Sequence, residues 1–341
     1  MQTINNLNAY LERHPGFISQ LICDIFKLCW YKCTGKKILV ITTGSGGIGD
    51  YIWIRSYYPL IHKKGYKIVL IAMAHWHEIV ESFDGDNIDI IRYFESCLSP
   101  KKIEYFFFKL FKTDVYLNFR RKCMADVVRY KKTYGDKGFE FDDRFYEEKN
   151  NDTFRLFQPL PNDFKHHLPI IEPSLEKKKY LKHPYIVLVE GGNTQGKLSD
   201  EQLISIAKHL TDKGYNILFN GNYIRICNLV DSAICSRIID GRLFTFPQYT
   251  YIINEASFVV TVNTSIYHFA VQLNKPCVVI SCNEYHTLQC YTEGQQLVFN
   301  NTLQSAYNSH TLSEYKIEDT VTLADIDIEN ILIAIDNVQC Y

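Results

Sequence analysis

The chain has 341 residues, of which 46% are hydrophobic and 22% are charged, and its 37 basic and 38 acidic side chains give a formal net charge of −1. This composition excludes a largely disordered chain, and the near-neutral charge argues against a protein that coats nucleic acid. The length predicts about two domains.

The first 33 residues predict no secretory leader and one amphipathic helix. Residues 1–16 are polar and include Glu12, Arg13 and Pro15, which is unlike a signal peptide. In residues 17–33, apolar side chains recur at helical spacing on one stripe. The members of that stripe are Ile18, Leu21, Ile22, Ile25, Leu28 and Cys29.

Charged side chains limit what this N-terminal segment, residues 1–35, can do. Asp24 and Lys27 interrupt the apolar run, which excludes a membrane span. Lysines then follow at positions 32, 36 and 37. Two interpretations remain: the helix docks onto its own domain, or it lies on an anionic membrane surface.

Two series of alternating strands and helices follow, separated by a linker over residues 158–179 that holds four of the ten prolines. The first series predicts strands over residues 36–43, 66–74, 88–94 and 113–119, with a helix over 51–64. The second predicts strands over 183–192, 215–222, 237–240, 257–263 and 275–282, with helices over 199–213 and 325–338.

This alternation is typical of parallel, doubly wound sheets. We therefore predict an α/β fold with two Rossmann-like domains, an N-terminal one over residues 36–175 and a C-terminal one over 176–341. Ligands of such sheets bind beyond the carboxyl ends of the strands. Two facing domains would form a cleft there, so we expect the functional residues in the loops that follow the strands.

The first strand leads into a glycine turn that contains Gly46, Gly47 and Gly49 and matches the pattern G-x-G-x-x-G. A dinucleotide-binding enzyme also needs an acidic residue at the end of the next strand, where Ala72 and Met73 stand instead. The alternative is Asp50, whose carboxylate at a helix start could accept a proton from a hydroxyl group. It could equally be a helix cap.

The second series carries polar side chains at two strand ends. Asn193, Thr194 and Lys197 follow its first strand, and Asn263-Thr264-Ser265 ends a later strand, with His268 one turn into the next helix. Backbone N–H groups at a helix start and nearby hydroxyls suit a phosphate group. Taken singly, His268 could be a packed core histidine and Lys197 a solvated surface lysine.

Metal ligands are not evident in the sequence. The histidines of His75-Trp76-His77 and of His166-His167 have no Cys or carboxylate partner at zinc-ligand spacing. Asp84-Gly85-Asp86 resembles a D-x-D motif, but its place after a helix predicts a surface turn. The eleven cysteines, an odd number with several in apolar runs, favour free thiols in the cytoplasm.

Taken together, the glycine turn with Asp50, the N-T-x-x-K loop and the N-T-S-x-x-H turn before K-P-x-V-x-I resemble glycosyltransferase family 9, the heptosyltransferase family, over roughly residues 37–335. The resemblance implies the GT-B fold. It also implies an inverting, metal-independent transfer of a heptose or hexose-type sugar from a nucleotide-diphosphate donor, which is a co-substrate and not a bound cofactor. The acceptor would be a cell-surface glycan or glycolipid such as lipopolysaccharide.

The resemblance also implies roles for individual residues. Asp50 corresponds to the candidate base and Lys197 to a lysine that contacts the donor phosphate. Thr194 lies in the loop that meets the donor, and the turn with His268 holds the diphosphate and sugar. The members of that turn are Asn263, Thr264, Ser265 and His268. Two of them depart from the family: Asn263 replaces the usual Asp and Ser265 the usual Gly, so a donor other than ADP-heptose is plausible.

The acceptor is expected on the first domain, where loops at residues 96–112 and 120–132 mix basic and aromatic side chains. A phosphorylated saccharide on a lipid carrier would suit such a surface, but an ordinary amphipathic helix has the same pattern. Two other functions stay open: a non-catalytic nucleotide-sugar-binding protein and a Rossmann enzyme that uses NAD(P). No nucleic-acid partner is predicted.

Overall fold

The computed structural model divides the chain into two compact units, Met1–His166 and His167–Tyr341. Their boundary falls inside the predicted linker. The structure describes residues 16–42, 48–55, 58–94, 115–118, 138–140, 168–192, 196–262, 264–281, 295–298 and 322–338. The predicted acceptor loops at 96–112 and 120–132 lie outside these residues.

The first unit is a parallel sheet with helices between its strands. Its elements are α1 (Phe17–Cys33), β1 (Lys37–Thr42), α2 (Ile48–Arg55), α3 (Tyr58–Lys63), β2 (Tyr66–Met73), α4 (His77–Asp84), β3 (Ile90–Phe94), β4 (Val115–Asn118) and β5 (Gly138–Glu140). The strand order is β3-β2-β1-β4-β5, and every pair is parallel. Buried residues run through β1 without alternation, from Ile38 to Ile41, as a parallel sheet covered on both faces requires.

Helix α2 begins earlier than the sequence analysis predicts. Ile48, Tyr51, Ile52 and Arg55 recur at helical spacing and are half-buried or buried, so the packed face of the helix extends back to Ile48. Gly49 therefore lies in the first turn of the helix and not in the preceding turn, which corrects the expectation. Pro59 lies in the first turn of the next helix, α3, where a missing N–H donor costs no intrahelical hydrogen bond.

Helix α1 docks onto its own unit, which is the first of the two interpretations, and among the described side chains it buries only part of the predicted apolar stripe. Leu28 is buried, whereas Ile22 is 48% exposed and Cys29 is exposed. The buried side carries Asp24, which pairs with Arg92 of β3. Because this buried charge must face its partner, the ion pair fixes the rotation of the helix.

A buried ion pair also joins α2 to the end of α4. Arg55 Nε lies 2.7 Å from Asp84 Oδ2, and the two side chains are 1% and 0% exposed. Arg55 Nη2 donates to Asp84 Oδ1 at 2.9 Å, and the Tyr51 hydroxyl donates to Asp84 Oδ2 at 2.5 Å. The expected surface turn at Asp84-Gly85-Asp86 is therefore wrong for Asp84, because its partner lies 29 residues earlier in the chain.

The second unit is also a parallel sheet with helices between its strands. Its elements are α5 (Leu175–Lys178), β6 (Tyr185–Val189), β7 (Gly191–Gly192), β8 (Gly196–Lys197), α6 (Asp200–Asp212), β9 (Asn216–Asn220), α7 (Tyr223–Leu229), α8 (Ser232–Cys235), β10 (Ile238–Asp240), α9 (Tyr249–Glu255), β11 (Val259–Val262), α10 (Ser265–Gln272), β12 (Cys277–Ile280), β13 (Gln295–Val298) and α11 (Ile328–Val338). The strand order is β10-β9-β6-β11-β12-β13, with a separate β7-β8 hairpin.

Local sequence signals set the ends of α6 as predicted. The Gln202 N–H donates to Ser199 Oγ at 3.1 Å, and the Ser199 N–H donates to Gln202 Oε1 at 2.9 Å, which satisfies two N–H groups at the helix start. Gly214 ends the helix with φ +92°. Among the described residues, no helix is long and apolar enough to cross a membrane.

We predict that Asp84→Asn lowers the free energy of unfolding by about 3–5 kcal/mol, because it leaves the Arg55 charge buried without its counter-ion. Urea unfolding followed by tryptophan fluorescence measures this loss. The matched control is Asp86→Asn, two residues later at an exposed position, which should change stability by less than about 0.5 kcal/mol. Equal effects of the two variants would contradict the structural role of the ion pair.

Candidate functional site

The candidate site lies at the carboxyl edge of the second sheet. Strands β9, β6 and β11 are neighbours there, so the residues that follow them come close together. Glu190 follows β6, Gly221 follows β9, and Thr264 begins the turn after β11. The β7-β8 hairpin, which carries Lys197, is connected to β6 through Glu190 and contacts β11 through β7.

Glu190 is the buried charge of this edge, with 3% of the residue exposed. Its Oε2 accepts the backbone N–H of Asn222 at 2.8 Å and lies 3.5 Å from Lys197 Nζ. Its Oε1 accepts a hydrogen bond from the Arg225 guanidinium. One carboxylate therefore ties the end of β6 to the start of α7 and to the hairpin.

These contacts determine the ionisation of Glu190. Burial by itself raises the pKa of the carboxyl, but the Asn222 N–H, the Arg225 guanidinium and the Lys197 ammonium group outweigh it. The pKa of Glu190 is therefore held below its ordinary value of 4.5. The carboxylate is ionised at neutral pH and keeps the two cations in place.

Arg225 spans two acidic side chains. Its Nε lies 2.9 Å from Asp200 Oδ1 at the start of α6, and its Nη2 donates to the Leu198 carbonyl at 3.3 Å. Asn222 accepts the Arg225 N–H on its Oδ1 at 3.2 Å and so caps α7. The guanidinium thus fixes the starts of α6 and α7 against the buried carboxylate.

Two glycines permit this close packing. A Cβ at Gly221 would lie 2.5 Å from the Glu190 Cβ, and a Cβ at Gly191 would lie 2.4 Å from the Gly196 carbonyl oxygen and 2.7 Å from the Lys197 Cα. These distances are too short for a real Cβ, so both positions require glycine. The two glycines therefore let the backbone near Glu190 and Lys197 pack closely.

Lys197 presents its charge to solvent. Its side chain is 61% exposed, and Glu190 is its ion-pair partner at 3.5 Å. A lysine held at one side by a buried carboxylate keeps its other N–H donors available for an anion. The side chain is therefore solvated, as one of the two interpretations has it, and is also anchored by Glu190.

The turn after β11 leads into the short helix α10. Thr264 is the N-cap residue, but its side chain makes no capping hydrogen bond; its Oγ1 lies 3.3 Å from Thr261 Oγ1. Ser265 opens the helix and is half-buried. The start of α10, with its backbone N–H groups, therefore follows the carboxyl end of β11, the strand next to β6 in the sheet.

His268 is a largely buried member of this helix, with 7% of the residue exposed. Residues 266–272 are all buried, and the His268 ring packs 5.4 Å from the Tyr267 ring, centroid to centroid. The burial fits the interpretation as a core histidine.

The other predicted site residues are placed only in part. Asp50 lies in the first turn of α2, in the first unit. Thr194, Asn263, Gly46 and Gly47 lie outside the described residues. Within those residues, no group of three or more His, Cys, Asp and Glu side chains is arranged to hold a metal ion.

Glu190 and Arg225 are the residues of this site that sequence reasoning missed. The signal for Glu190 is a single acid at the end of the apolar run YIVLVE, where a buried strand meets the functional edge. The signal for Arg225 is its place three residues after Asn222, a good N-cap residue. Neither signal reveals that the two side chains meet.

We predict that Glu190→Gln destabilises the protein by about 1–3 kcal/mol at pH 7, because the neutral amide pairs poorly with two cations. The pKa of Glu190 is lower in the folded state than in the unfolded state. Its contribution to the free energy of unfolding is therefore complete above pH 4.5 and is lost as the pH falls through the lowered pKa. Urea unfolding from pH 7 to pH 3 should therefore show the difference between wild type and variant shrinking toward acid.

The control for this experiment is Glu201→Gln, at an exposed position in the first turn of α6. The free energy of unfolding of this variant should change with pH as that of wild type does. A constant difference between wild type and Glu190→Gln at every pH would contradict the role of the ionised carboxylate.

Comparison with known proteins supports the fold through structure alone. No protein-family profile matches the chain, and no curated protein matches it in sequence. The structure is similar to the ADP-heptose LPS heptosyltransferase II of Escherichia coli, with a TM-score of 0.60 and 16% identity over 89% of this chain and 98% of that chain.

Two further solved structures have the same architecture. A family 9 glycosyltransferase from Veillonella parvula has a TM-score of 0.58 and 13% identity, over 89% of this chain and 97% of that one. A putative UDP-N-acetylglucosamine 2-epimerase from Listeria monocytogenes has a TM-score of 0.50 and 10% identity, over 89% and 96%. The chain therefore has the GT-B fold of these proteins, with two Rossmann-like parallel-sheet domains, as the motif resemblance implied.

Proposed function

We propose that this protein is a glycosyltransferase that moves a sugar from a nucleotide-diphosphate donor to a hydroxyl group of a glycan or glycolipid acceptor. The observation that carries the proposal is the strand order of the second sheet, in which the hairpin that carries Lys197 follows β6 and the start of α10 follows its neighbour β11. The similar structures include an ADP-heptose LPS heptosyltransferase and a family 9 glycosyltransferase.

The second unit is proposed to bind the donor. The ammonium group of Lys197, the hydroxyls of Thr264 and Ser265 and the N–H groups at the start of α10 would meet the diphosphate. Negative charge grows on the leaving phosphate as its bond to the sugar breaks. Hydrogen-bond donors that are already fixed in place stabilise that charge most in the transition state. Glu190 holds the ammonium group of Lys197 in place.

Asp50 of the first unit is proposed as the base. Its place in the first turn of α2 lets the positive end of the helix dipole favour the ionised carboxylate. Asp50 would take the proton of the acceptor hydroxyl as that oxygen forms a bond to the anomeric carbon. The bond from this carbon to the diphosphate breaks, and the diphosphate leaves with the electron pair. Because the oxygen attacks the face opposite the diphosphate, the anomeric configuration inverts.

The proposal also specifies the sugar and the acceptor. Asn263 and Ser265 stand where the family has Asp and Gly, so we expect a heptose or hexose-type donor that differs from ADP-heptose. The acceptor we propose is a cell-surface saccharide such as lipopolysaccharide, modified on the cytoplasmic side of the membrane. No metal ion or bound cofactor has a role in these steps.

A second candidate is a nucleotide-sugar-binding protein without transfer activity. The replacement of a family Asp by Asn263 favours it, because a carboxylate beside the sugar is lost. A thermal-shift screen with ADP-, UDP-, GDP-, CDP- and dTDP-sugars identifies the donor in either case, since a ligand of the native state raises the melting temperature. Donor hydrolysis or transfer by the purified protein then separates the two candidates.

We predict that Lys197→Met weakens binding of the donor found in that screen by about tenfold or more, because a charge-assisted contact to phosphate is worth about 1.5–3 kcal/mol. Isothermal titration calorimetry measures the dissociation constant. Lys208→Met removes an exposed lysine of α6 and should leave the constant unchanged. Unaltered binding by Lys197→Met would rule Lys197 out as a phosphate ligand.

We predict that Asp50→Asn keeps the donor dissociation constant within about twofold and lowers kcat by about 10²–10⁴-fold, the usual contribution of a general base. The two measurements together distinguish a base from a helix cap. A cap would alter the melting temperature and leave kcat near that of wild type, and this outcome would remove Asp50 from the mechanism.

A further inference from the structure

Helix α1 turns its buried charge toward the protein and its large apolar side chains toward solvent. Asp24 is 6% exposed and pairs with Arg92, and Leu28 is 1% exposed. On the opposite face, Ile22, Phe26 and Trp30 are 48%, 70% and 67% exposed. These three residues are spaced four apart, so they share one face of the helix. This arrangement is the reverse of a surface helix in a soluble protein.

The exposed face carries no charged residue along four turns. Its remaining members are also exposed and small: Ser19, Cys23, Cys29 and Cys33. We call the seven residues the outer face of α1. A contiguous apolar strip of this kind on a folded protein marks a surface that contacts something.

Lysines lie beside the carboxyl-terminal end of this strip. Lys36 and Lys37 lie three and four residues after the last residue of α1, and Lys37 pairs in register with Tyr66 of β2. Lys63 and Lys64 precede β2 and so lie at the same amino-terminal edge of the sheet, and all four lysines are exposed.

The acidic side chains near this edge do not neutralise the positive charge of the four lysines. Asp89 is paired with Lys67 at 2.8 Å, and Asp86 is an exposed carboxylate of the same edge in the described part of the unit. The edge therefore has a positive charge next to an apolar strip that contains a tryptophan. Amphipathic segments that bind the surface of anionic bilayers combine the same two elements.

We propose that the outer face of α1 binds the surface of an anionic lipid bilayer. Ile22, Phe26 and Trp30 enter the headgroup region, and the four lysines contact lipid phosphates. A second copy of the chain is the less suitable occupant, because it would bring the same lysines and an outer face without acidic residues. α1 lies on the membrane and does not cross it, since Asp24 and Lys27 interrupt its apolar run.

This binding mode is compatible with the proposed activity and does not depend on it. β1 runs from Lys37 at the lysine edge toward the other end of the sheet, where Asp50 follows. Six strand residues separate the two edges by about 20 Å. In this binding mode the lysine edge faces the lipid and the carboxyl edge of the first sheet lies at its other end.

The test is sedimentation of the full chain with vesicles of phosphatidylcholine containing phosphatidylglycerol, and with vesicles of phosphatidylcholine alone. Wild type should bind the anionic vesicles and bind the neutral ones at least about tenfold more weakly. The double variant Phe26→Ser/Trp30→Ser should lose about tenfold or more of its affinity for anionic vesicles. Both side chains are exposed, so its melting temperature should equal that of wild type.

The matched control is Ile224→Ser/Ile333→Ser, which removes two apolar side chains that are 62% and 58% exposed elsewhere on the chain. It should bind vesicles like wild type. Failure of wild type to bind anionic vesicles, or wild-type binding by the Phe26/Trp30 variant, would overturn the proposal. So would sedimentation velocity that shows a wild-type dimer converted to a monomer by that variant, because the face would then join two copies.

Discussion

The buried carboxylate of Glu190 is the constraint on which the candidate site depends. A charge with 3% exposure is tolerated only where hydrogen bonds and counter-charges replace water. Here the Asn222 N–H, the Arg225 guanidinium and the Lys197 ammonium group do so. The same contacts set the direction of the β7-β8 hairpin and the starts of α6 and α7, so one residue links the sheet edge to the groups proposed to bind phosphate.

Buried ion pairs also orient two helices of the first unit. Asp84 and Arg55 form a buried pair that locks α2, the helix that carries Asp50, against α4. Asp24 and Arg92 form another that sets the rotation of α1. Because each pair costs stability when one partner is lost, such charges fix a unique orientation where apolar packing alone would allow several. The orientation of α1 in turn exposes Phe26 and Trp30.

The GT-B fold does not select one chemistry. Structures similar to this chain include heptosyltransferase II and a putative UDP-N-acetylglucosamine 2-epimerase, both over most of their length. The two proteins are named for ADP-heptose and UDP-N-acetylglucosamine, each a sugar attached to a nucleotide diphosphate. Function must therefore be argued from the site, where an anchored lysine and the start of a helix suit a diphosphate. Asn263 and Ser265, which depart from the family pattern, belong to the proposal about the sugar.

Strand periodicity and helix caps in the sequence predicted most element positions, because these depend on neighbours a few residues apart, and the alternation of strands with helices predicted the α/β fold class. Ser199 and Gly214 set the ends of α6 as predicted. Contacts between distant residues were decided only by the tertiary structure: Glu190 with Arg225, Arg55 with Asp84 and Asp24 with Arg92. No local pattern encodes which buried charges meet, and so the burial of Asp84, the earlier start of α2 and the outward turn of Ile22 could not be predicted.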